Sequence, residues 1–209
     1  MIPVKILALQ RIPNASPGLC DALGISRRTP SLGLLTTDCD DATYIALDEA
    51  TKAADVTVSF GQSFYAGAAN ASTPYAGEVL GILSAATPGA IQSGLTAATA
   101  ALARIGFEDV GGIPCLAYTV SRCGSFLAQQ AGVAEGSALA YLIAPPLESM
   151  VGLDAALKAA DVRLCKLYPP PTETNFGGGL LTGTQSACNA ACDAFLSAIA
   201  DIAKRPVEL

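Results

Sequence analysis

Histidine and tryptophan are absent from the 209-residue sequence, and charged residues make up only 14% of it, against about 25% in an average soluble domain. The lack of histidine excludes catalytic triads that use histidine, zinc sites with histidine ligands and haem held by histidine. Positive charge is also scarce, since 12 Lys and Arg stand against 18 Asp and Glu, for a formal net charge of −6. An acidic chain without a basic run is not expected to bind nucleic acid through phosphate contacts.

The scarcity of charge contrasts with a hydrophobic content of 51% and a mean hydropathy of +0.44. The longest uncharged stretch, residues 79–103, is long enough to span a bilayer, but Pro88 and Gln92 interrupt its apolar character. Lys5 and Arg11 flank only a short apolar run, so neither a secretory signal nor a membrane partner is expected. We therefore expect a cytoplasmic protein whose surface is largely covered by other copies of itself.

Seven cysteines lie at positions 20, 39, 115, 123, 165, 188 and 192. Their number is odd and no Cys-x-x-Cys pair occurs, so we expect reduced thiols rather than a disulfide framework. Cys188 and Cys192 are four residues apart and would share one face of a helix. A shared metal ion is conceivable, but free cysteine more often serves as a small buried hydrophobe. We expect no metal site and no cofactor.

An internal repeat dominates the sequence. The segment LDEATKAADV at residues 47–56 returns as LDAALKAADV at residues 153–162, which is 106 positions later. The pair Gln92-Ser93 returns as Gln185-Ser186, 93 positions later, so the first copy contains 13 additional residues between these markers. Two copies of one domain therefore fill the chain. We predict domains at residues 1–109 and 110–209, joined within residues 106–112.

Each copy shows the same order of predicted elements. An apolar strand precedes an amphipathic helix, and two strands and an alanine-rich second helix follow. A further apolar segment stands ahead of each copy. The predicted strands cover residues 4–9, 32–35, 56–60, 79–83, 115–120, 139–144, 162–168 and 178–182. This order predicts an α+β fold of the ferredoxin-like kind, with helices on one face of each sheet and a circularly permuted connection.

Each helix is expected to bury one face. For the first helix of each copy, the predicted inward residues are Leu47, Ala50, Thr51 and Ala54, and then Leu153, Ala156, Leu157 and Ala160. For the second helix they are Leu95, Ala98, Leu102 and Ile105, and then Ala187, Ala191, Ala194, Ala198 and Ile202. Alanine-rich faces let a helix lie close to its sheet or to a neighbouring subunit. They suit a thin plate better than a deep catalytic pocket.

The strand, the repeated LDAALKAADV-type helix, the glycine-rich turn and the alanine-rich helix resemble the bacterial microcompartment shell domain. Two such domains in tandem resemble the shell proteins in which three chains form a pseudohexagonal tile. Several strings are similar to members of this family from ethanolamine-utilisation shells, namely SLGL at 31–34, DCDD at 38–41, YAGA at 65–68, AGEV at 76–79, VSR at 120–122, APPLE at 144–148 and PPPTETNF at 169–176.

The resemblance implies a structural protein and not an enzyme. It implies two tandem, circularly permuted shell domains that form a pseudohexameric homotrimer and join other shell proteins. The location implied is the shell of a cytoplasmic bacterial microcompartment, where the tile would pass small metabolites through pores during ethanolamine utilisation.

Two lysines correspond to the lysine at the tile edge of this family. Lys52 and Lys158 occupy equivalent places in the two copies, and the resemblance implies that each packs against its counterpart on an adjacent tile. Either could instead be an ordinary solvated helix lysine, since lysine is usually exposed. Their recurrence in both copies favours the edge role.

An acidic run precedes the first helix. By resemblance, Asp40, Asp41 and Glu78 converge near a small pore, with Phe107 as an apolar wall. Opposed carboxylates would hold a small cationic amine such as ethanolamine through charge-assisted hydrogen bonds. The alternative is that Asp38, Asp40 or Asp41 serves as a helix N-cap.

The second copy offers a comparison for this run, because it has Pro145, Pro146 and Leu147 at the corresponding positions. A capping requirement should recur in both copies, whereas a binding site need not. The asymmetry therefore favours a binding site over a cap.

Residues 61–77 form a candidate gate, because their Gly, Ala, Ser and Asn content permits alternative backbone conformations. The family lines its central pore with such loops, which implies that Tyr65, Ala66, Gly67, Ala68 and Asn70 line it here. A plain surface loop is the alternative. The counterpart at residues 169–179 contains three prolines and suggests a fixed lining.

Two other functions remain open at this point. A ferredoxin-like, small-molecule-binding regulatory protein would also form trimers and bind ligands between subunits. Flat hexagonal layers in the electron microscope would favour the shell component, and a ligand-dependent protein partner would favour the regulator. An enzyme is not favoured, because no nucleophile–base grouping is evident in the sequence.

Overall fold

The computed structural model describes residues 1–64, 79–169 and 175–207. Its elements in chain order are β1 (Ile6–Ile12), α1 (Pro17–Ala22), β2 (Ser31–Thr37), α2 (Asp40–Ala53), β3 (Thr57–Ser63), β4 (Val79–Ala85), α3 (Pro88–Leu102), β5 (Glu108–Val110), β6 (Ile113–Val120), α4 (Ser125–Ala131), β7 (Ala138–Ala144), α5 (Pro146–Ala159), β8 (Val162–Tyr168), β9 (Gly177–Gly183) and α6 (Gln185–Lys204).

The chain forms two compact units. The first unit contains Pro3–Ile105 together with Gly124–Leu127, and the second contains Met1–Ile2, Gly106–Cys123 and Ala128–Leu209. Four residues that follow β6 in the sequence therefore belong in space to the first unit. The domain bounds 1–109 and 110–209 remain a prediction.

In the first unit, four antiparallel strands form a sheet in the order β1-β2-β4-β3. The helices α2 and α3 pack on each other and on this sheet. Gly81 on β4 permits the close approach of α2, because an added Cβ would stand 2.8 Å from Leu47 Cδ1. Most of the predicted inward residues of these helices are buried, namely Leu47, Ala50, Leu95, Ala98, Leu102 and Ile105.

In the second unit, five antiparallel strands take the order β5-β6-β7-β9-β8. All seven residues of β7 are buried. The helices α5 and α6 pack together at Gly152, where an added Cβ would stand 2.6 Å from Phe195 Cδ2. The predicted α+β fold class is confirmed, and the predicted strand at 162–168 coincides with β8.

Three expectations about the elements are wrong. The buried residues of α6 are Cys188, Ala191, Cys192, Phe195 and Ile199, so the predicted stripe of Ala187, Ala191, Ala194, Ala198 and Ile202 shares only Ala191 with them. Leu157, predicted to face inward, is exposed. The candidate gate was predicted to begin at residue 61, but β3 continues to Ser63.

The short elements α1, β5 and α4 have no counterpart in the predicted order. No helix in the described part of the chain has the length and apolar character needed to cross a bilayer.

Candidate functional site

The acidic run lies where β2 ends and α2 begins, and its first member has a structural role. Asp38 Oδ1 accepts a hydrogen bond from Lys5 N at 2.8 Å, and Asp38 N donates to Lys5 O at 3.2 Å. This reciprocal pair joins the turn before α2 to the residue ahead of β1. Asp38 is therefore engaged with the backbone.

Asp40 and Asp41 form the first turn of α2, and both are buried, with 9% and 8% exposure. The N-cap residue is Cys39, which makes no side-chain capping bond, so the alternative that one of the aspartates is the N-cap is wrong. Asp41 N donates to Asp40 Oδ1 at 2.9 Å. The free amides of a helix N-terminus favour negative charge, which suits two acidic residues in the first turn of α2.

Two threonines support this helix start. The hydroxyl of Thr37 accepts a hydrogen bond from Cys39 N at 3.1 Å and lies 2.7 Å from the hydroxyl of Thr43. Thr43 in turn donates to Cys39 O at 2.8 Å. Burial, and then the negative charge of Asp41, raises the pKa of the Cys39 thiol well above its usual range. Cys39 is therefore a neutral thiol beside two carboxyl groups.

The other residues predicted for this site and for the central pore stay predictions. Glu78 and the predicted pore residues Tyr65, Ala66, Gly67, Ala68 and Asn70 lie outside the described residues. Phe107 belongs to the second unit, where its ring meets the ring of Phe176 edge-on at 5.3 Å between centroids. Of the four predicted ligand-binding residues, the structure brings Asp40 and Asp41 together.

The two candidate edge lysines have different surroundings, although they are equivalent in the repeat. Lys52 has a side chain that is 26% exposed, paired with Glu49 and 3.7 Å from Asp48 Oδ2. Lys158 is 75% exposed and lies 2.5 Å from Asp154 Oδ2. Each lysine lies in the last turn of its helix, where the helix dipole favours positive charge.

Asp48, for which the sequence suggested no role, is a buried carboxylate of the first unit that binds backbone N–H groups distant in sequence. Its side chain is fully buried. One carboxylate oxygen accepts a hydrogen bond from Gly124 N at 2.7 Å and the other accepts one from Leu127 N at 2.8 Å. Gly124 immediately precedes α4 and Leu127 lies in its first turn, so Asp48 caps a helix that begins much later in the chain.

The packing around this cap is close. An added Cβ at Gly124 would stand 2.8 Å from Asp48 O and closer still to the hydroxyl of Thr51, and that hydroxyl accepts from Ser125 N at 3.2 Å. Burial raises the pKa of the Asp48 carboxyl, against the opposing influence of the two backbone N–H groups and Lys52. The sequence signal for this contact is that α4 begins after a glycine, which has no side chain to cap it.

Three cysteines of the second unit have a structural role. Cys115, Cys188 and Cys192 belong to its hydrophobic core, which confirms that Cys188 and Cys192 serve as small buried hydrophobes. Burial raises the pKa of the Cys115 and Cys192 thiols to about 11 in each case. Within residues 1–64, 79–169 and 175–207, no group of three or more Cys, Asp and Glu is placed to bind a metal ion.

Known proteins share both the sequence and this fold. The family model described as the BMC domain matches residues 31–112. The bacterial microcompartment shell protein EutL of Clostridium perfringens is 52% identical over 211 residues, with 99% of this chain and 97% of the relative covered. The crystal structure of the ethanolamine utilization protein EutL from Leptotrichia buccalis matches with a TM-score of 0.96 and 53% identity, over 100% of this chain and 98% of that one.

A more distant structure shares the fold alone. The trimeric bacterial microcompartment shell protein PduB matches with a TM-score of 0.79 and 20% identity, over 96% of this chain and 89% of that chain.

Proposed function

Because this chain belongs to the EutL family of bacterial microcompartment shell proteins and is a structural component of such a shell in ethanolamine utilisation, we propose that three copies close into one pseudohexagonal tile. The observation that carries the proposal is the tandem repeat within a chain that matches its EutL relatives from end to end. Three chains with two copies of one domain supply the six positions of a hexagonal plate, which tiles a flat layer.

The tile edge in this proposal contains Lys52 and Lys158. Each lies near the end of its helix with a carboxylate partner three or four residues earlier, which orients the side chain along the helix surface. Charge reversal of both lysines to glutamate is expected to abolish two-dimensional layers in negative-stain images and to leave the trimer intact. Lys204→Glu is the matched control, because Lys204 is also an exposed helix lysine paired with an aspartate. Layers of unchanged order from the double variant would contradict the edge role.

The pores are proposed to pass a small cationic amine such as ethanolamine. Support comes from Asp40 and Asp41, two buried acidic residues in the first turn of α2. We propose that Glu78 completes the site and that Tyr65, Ala66, Gly67, Ala68 and Asn70 line the central pore. Neighbouring acidic residues attract an ammonium group through charge-assisted hydrogen bonds.

Calorimetric titration of ethanolamine tests the amine site. Asp41→Ala and Glu78→Ala are each expected to weaken binding at least tenfold, which corresponds to about 1.4 kcal/mol. Asp201→Ala is the matched control, because it removes an exposed helix aspartate that is paired with a lysine. Binding that is unchanged in both site variants would refute the amine site and would leave the shell role in place.

We further propose that the chain has no catalytic activity of its own. The members of its family are shell proteins. Among the described residues, burial raises the pKa of the Cys39, Cys115 and Cys192 thiols and of the Asp48 carboxyl group, and each of these groups lies at a helix start or in the core. Other shell proteins are its proposed partners at the tile edges.

A further inference from the structure

The helices α2 and α5 are equivalent in the repeat, yet they differ in what covers them. Ile45 on α2 is fully buried, and its counterpart Val151 on α5 is 45% exposed. The side chain of Asp48 is likewise buried, whereas that of Asp154 is 61% exposed. We define the α5 face as the exposed residues Leu147, Met150, Val151, Asp154 and Leu157. Four of these five side chains are apolar.

The first unit shows what covers the equivalent face of α2. The segment Gly124–Leu127, here called the capping segment, belongs to that unit. It donates two backbone hydrogen bonds to Asp48 and one to Thr51. The ring of Phe126 lies 6.1 Å from the ring of Tyr44. The counterparts of Tyr44, Asp48 and Thr51 on α5 are residues 150, 154 and 157, all within the α5 face.

The repeat also identifies the counterpart of the capping segment. Ala15 N donates to Pro30 O at 2.8 Å, as Cys123 N donates to Ser137 O at 2.8 Å. Aligning these two hydrogen bonds places residues 16–19, here called the α1 segment, opposite the capping segment. The capping segment has two buried members, Gly124 and Leu127, whereas all four residues of the α1 segment are exposed.

We propose that the α1 segment of one copy packs on the α5 face of the next copy and thereby closes the trimer. This inference rests on the proposed trimeric tile and names the surfaces that would form it. The chain repeats both halves of a contact: the first pair of surfaces meets within the first unit, whereas the described residues that make up the second pair are exposed. A neighbouring copy supplies the missing partner. The contact is head-to-tail, so each copy uses both surfaces and the ring closes when the rotation permits.

The chemistry of the second contact differs from that of the first. Ser16 caps α1 with its own hydroxyl, which accepts from Leu19 N at 3.3 Å, and Pro17 has no N–H to satisfy. Asp154 is therefore not needed as a cap, and it pairs with Lys158 instead. Burial of Leu19 against the apolar α5 face would stabilise the contact between copies. We expect assembly to change little with salt, because no ion pair carries the contact.

Variants on each surface test the proposal by their native mass in solution. Val151→Asp disrupts the α5 face and Leu19→Asp disrupts the α1 segment, and both residues are exposed in a single copy. Each variant is expected to raise the concentration for half-assembly at least tenfold, with unchanged circular dichroism. Leu167→Asp is the control, because Leu167 is equally exposed on β8 and belongs to neither surface. The control is expected to remain trimeric.

Mixing the two disrupted variants tests the head-to-tail pairing. The Leu19→Asp variant keeps an intact α5 face, and the Val151→Asp variant keeps an intact α1 segment. The intact α1 segment of the Val151→Asp variant can then pack on the intact α5 face of the Leu19→Asp variant. Both remaining surfaces of this pair are disrupted, so the mixture is expected to form dimers and no trimers. Monomers that form no dimer on mixing overturn the pairing.

The failure of this inference can be told apart from failure of the tile. Trimers from both single variants, with trimeric wild type, overturn the inference and leave the proposed tile in place. A monomeric wild type overturns both.

Discussion

Replacing Asp48 with alanine removes the acceptor of two buried backbone N–H groups, those of Gly124 and Leu127. A buried donor without a partner costs about 1–3 kcal/mol. Two such donors give an expected loss of about 2–6 kcal/mol in the free energy of unfolding. The pairing of Lys52 with Asp48 at 3.7 Å adds little, since Glu49 remains as its partner.

The internal repeat provides the control for this prediction. Asp154→Ala changes the equivalent residue on α5, where the side chain is 61% exposed and its hydrogen-bond partner is Lys158. Its effect on stability is expected to stay within about 0.5 kcal/mol. Urea denaturation of both variants at one fixed protein concentration measures the difference.

Hydrogen exchange provides a second readout of the same cap. The amides of Gly124 and Leu127 are expected to exchange faster in Asp48→Ala under native conditions. Equal stability losses in the two alanine variants, with unchanged protection at these amides, would refute the capping role.

Two further predictions concern close packing and the buried thiols. Gly124→Ala is expected to destabilise the fold by at least about 1 kcal/mol, because its Cβ would meet Asp48 O at 2.8 Å, whereas Gly89→Ala, with its nearest atom at 4.0 Å, is expected to be neutral in the same urea assay. Cys115 and Cys192 have a pKa of about 11 instead of 9.0, so at pH 8 their thiolate population is about a hundredth of the ordinary one. Iodoacetamide should label them correspondingly slowly, and stability should fall as pH rises from 9 toward 11; labelling as fast as in urea would contradict their burial.

The repeat made much of the fold predictable. Hydrophobic runs and the LDAALKAADV-type helix give the long strands and helices in order, because their burial pattern is local in sequence. The α+β class and the tandem shell domains are confirmed by the sheets and by the EutL relatives. The stripe of α6 was misplaced because alanine is compatible with both buried and exposed positions. Phe195, fully buried beneath Gly152, marks the true inward face.

The missed features depend on contacts between residues that are distant in sequence. The start of α4 has no side-chain cap of its own, and its cap comes from Asp48. The same repeat motif places Asp154 and Leu157 at equivalent positions, but there they are exposed. No local pattern distinguishes the two copies, since the difference lies in which segment covers each helix.

The same limit applies to the candidate amine site. The sequence shows Asp40 and Asp41 as an acidic pair, and the structure adds that both are buried at the start of α2. Whether either aspartate caps the helix depends on the backbone of Cys39 and on the hydroxyls of Thr37 and Thr43. That arrangement cannot be read from the spacing of the carboxylates.

The native mass of the purified protein tests the proposed assembly most directly. Light scattering coupled to size-exclusion chromatography, run across a range of protein concentrations, should give one species at three times the 21.1 kDa of a single chain. A mass of one chain at every concentration would contradict the tile of three copies on which the pores, the edge lysines and the contact between copies depend.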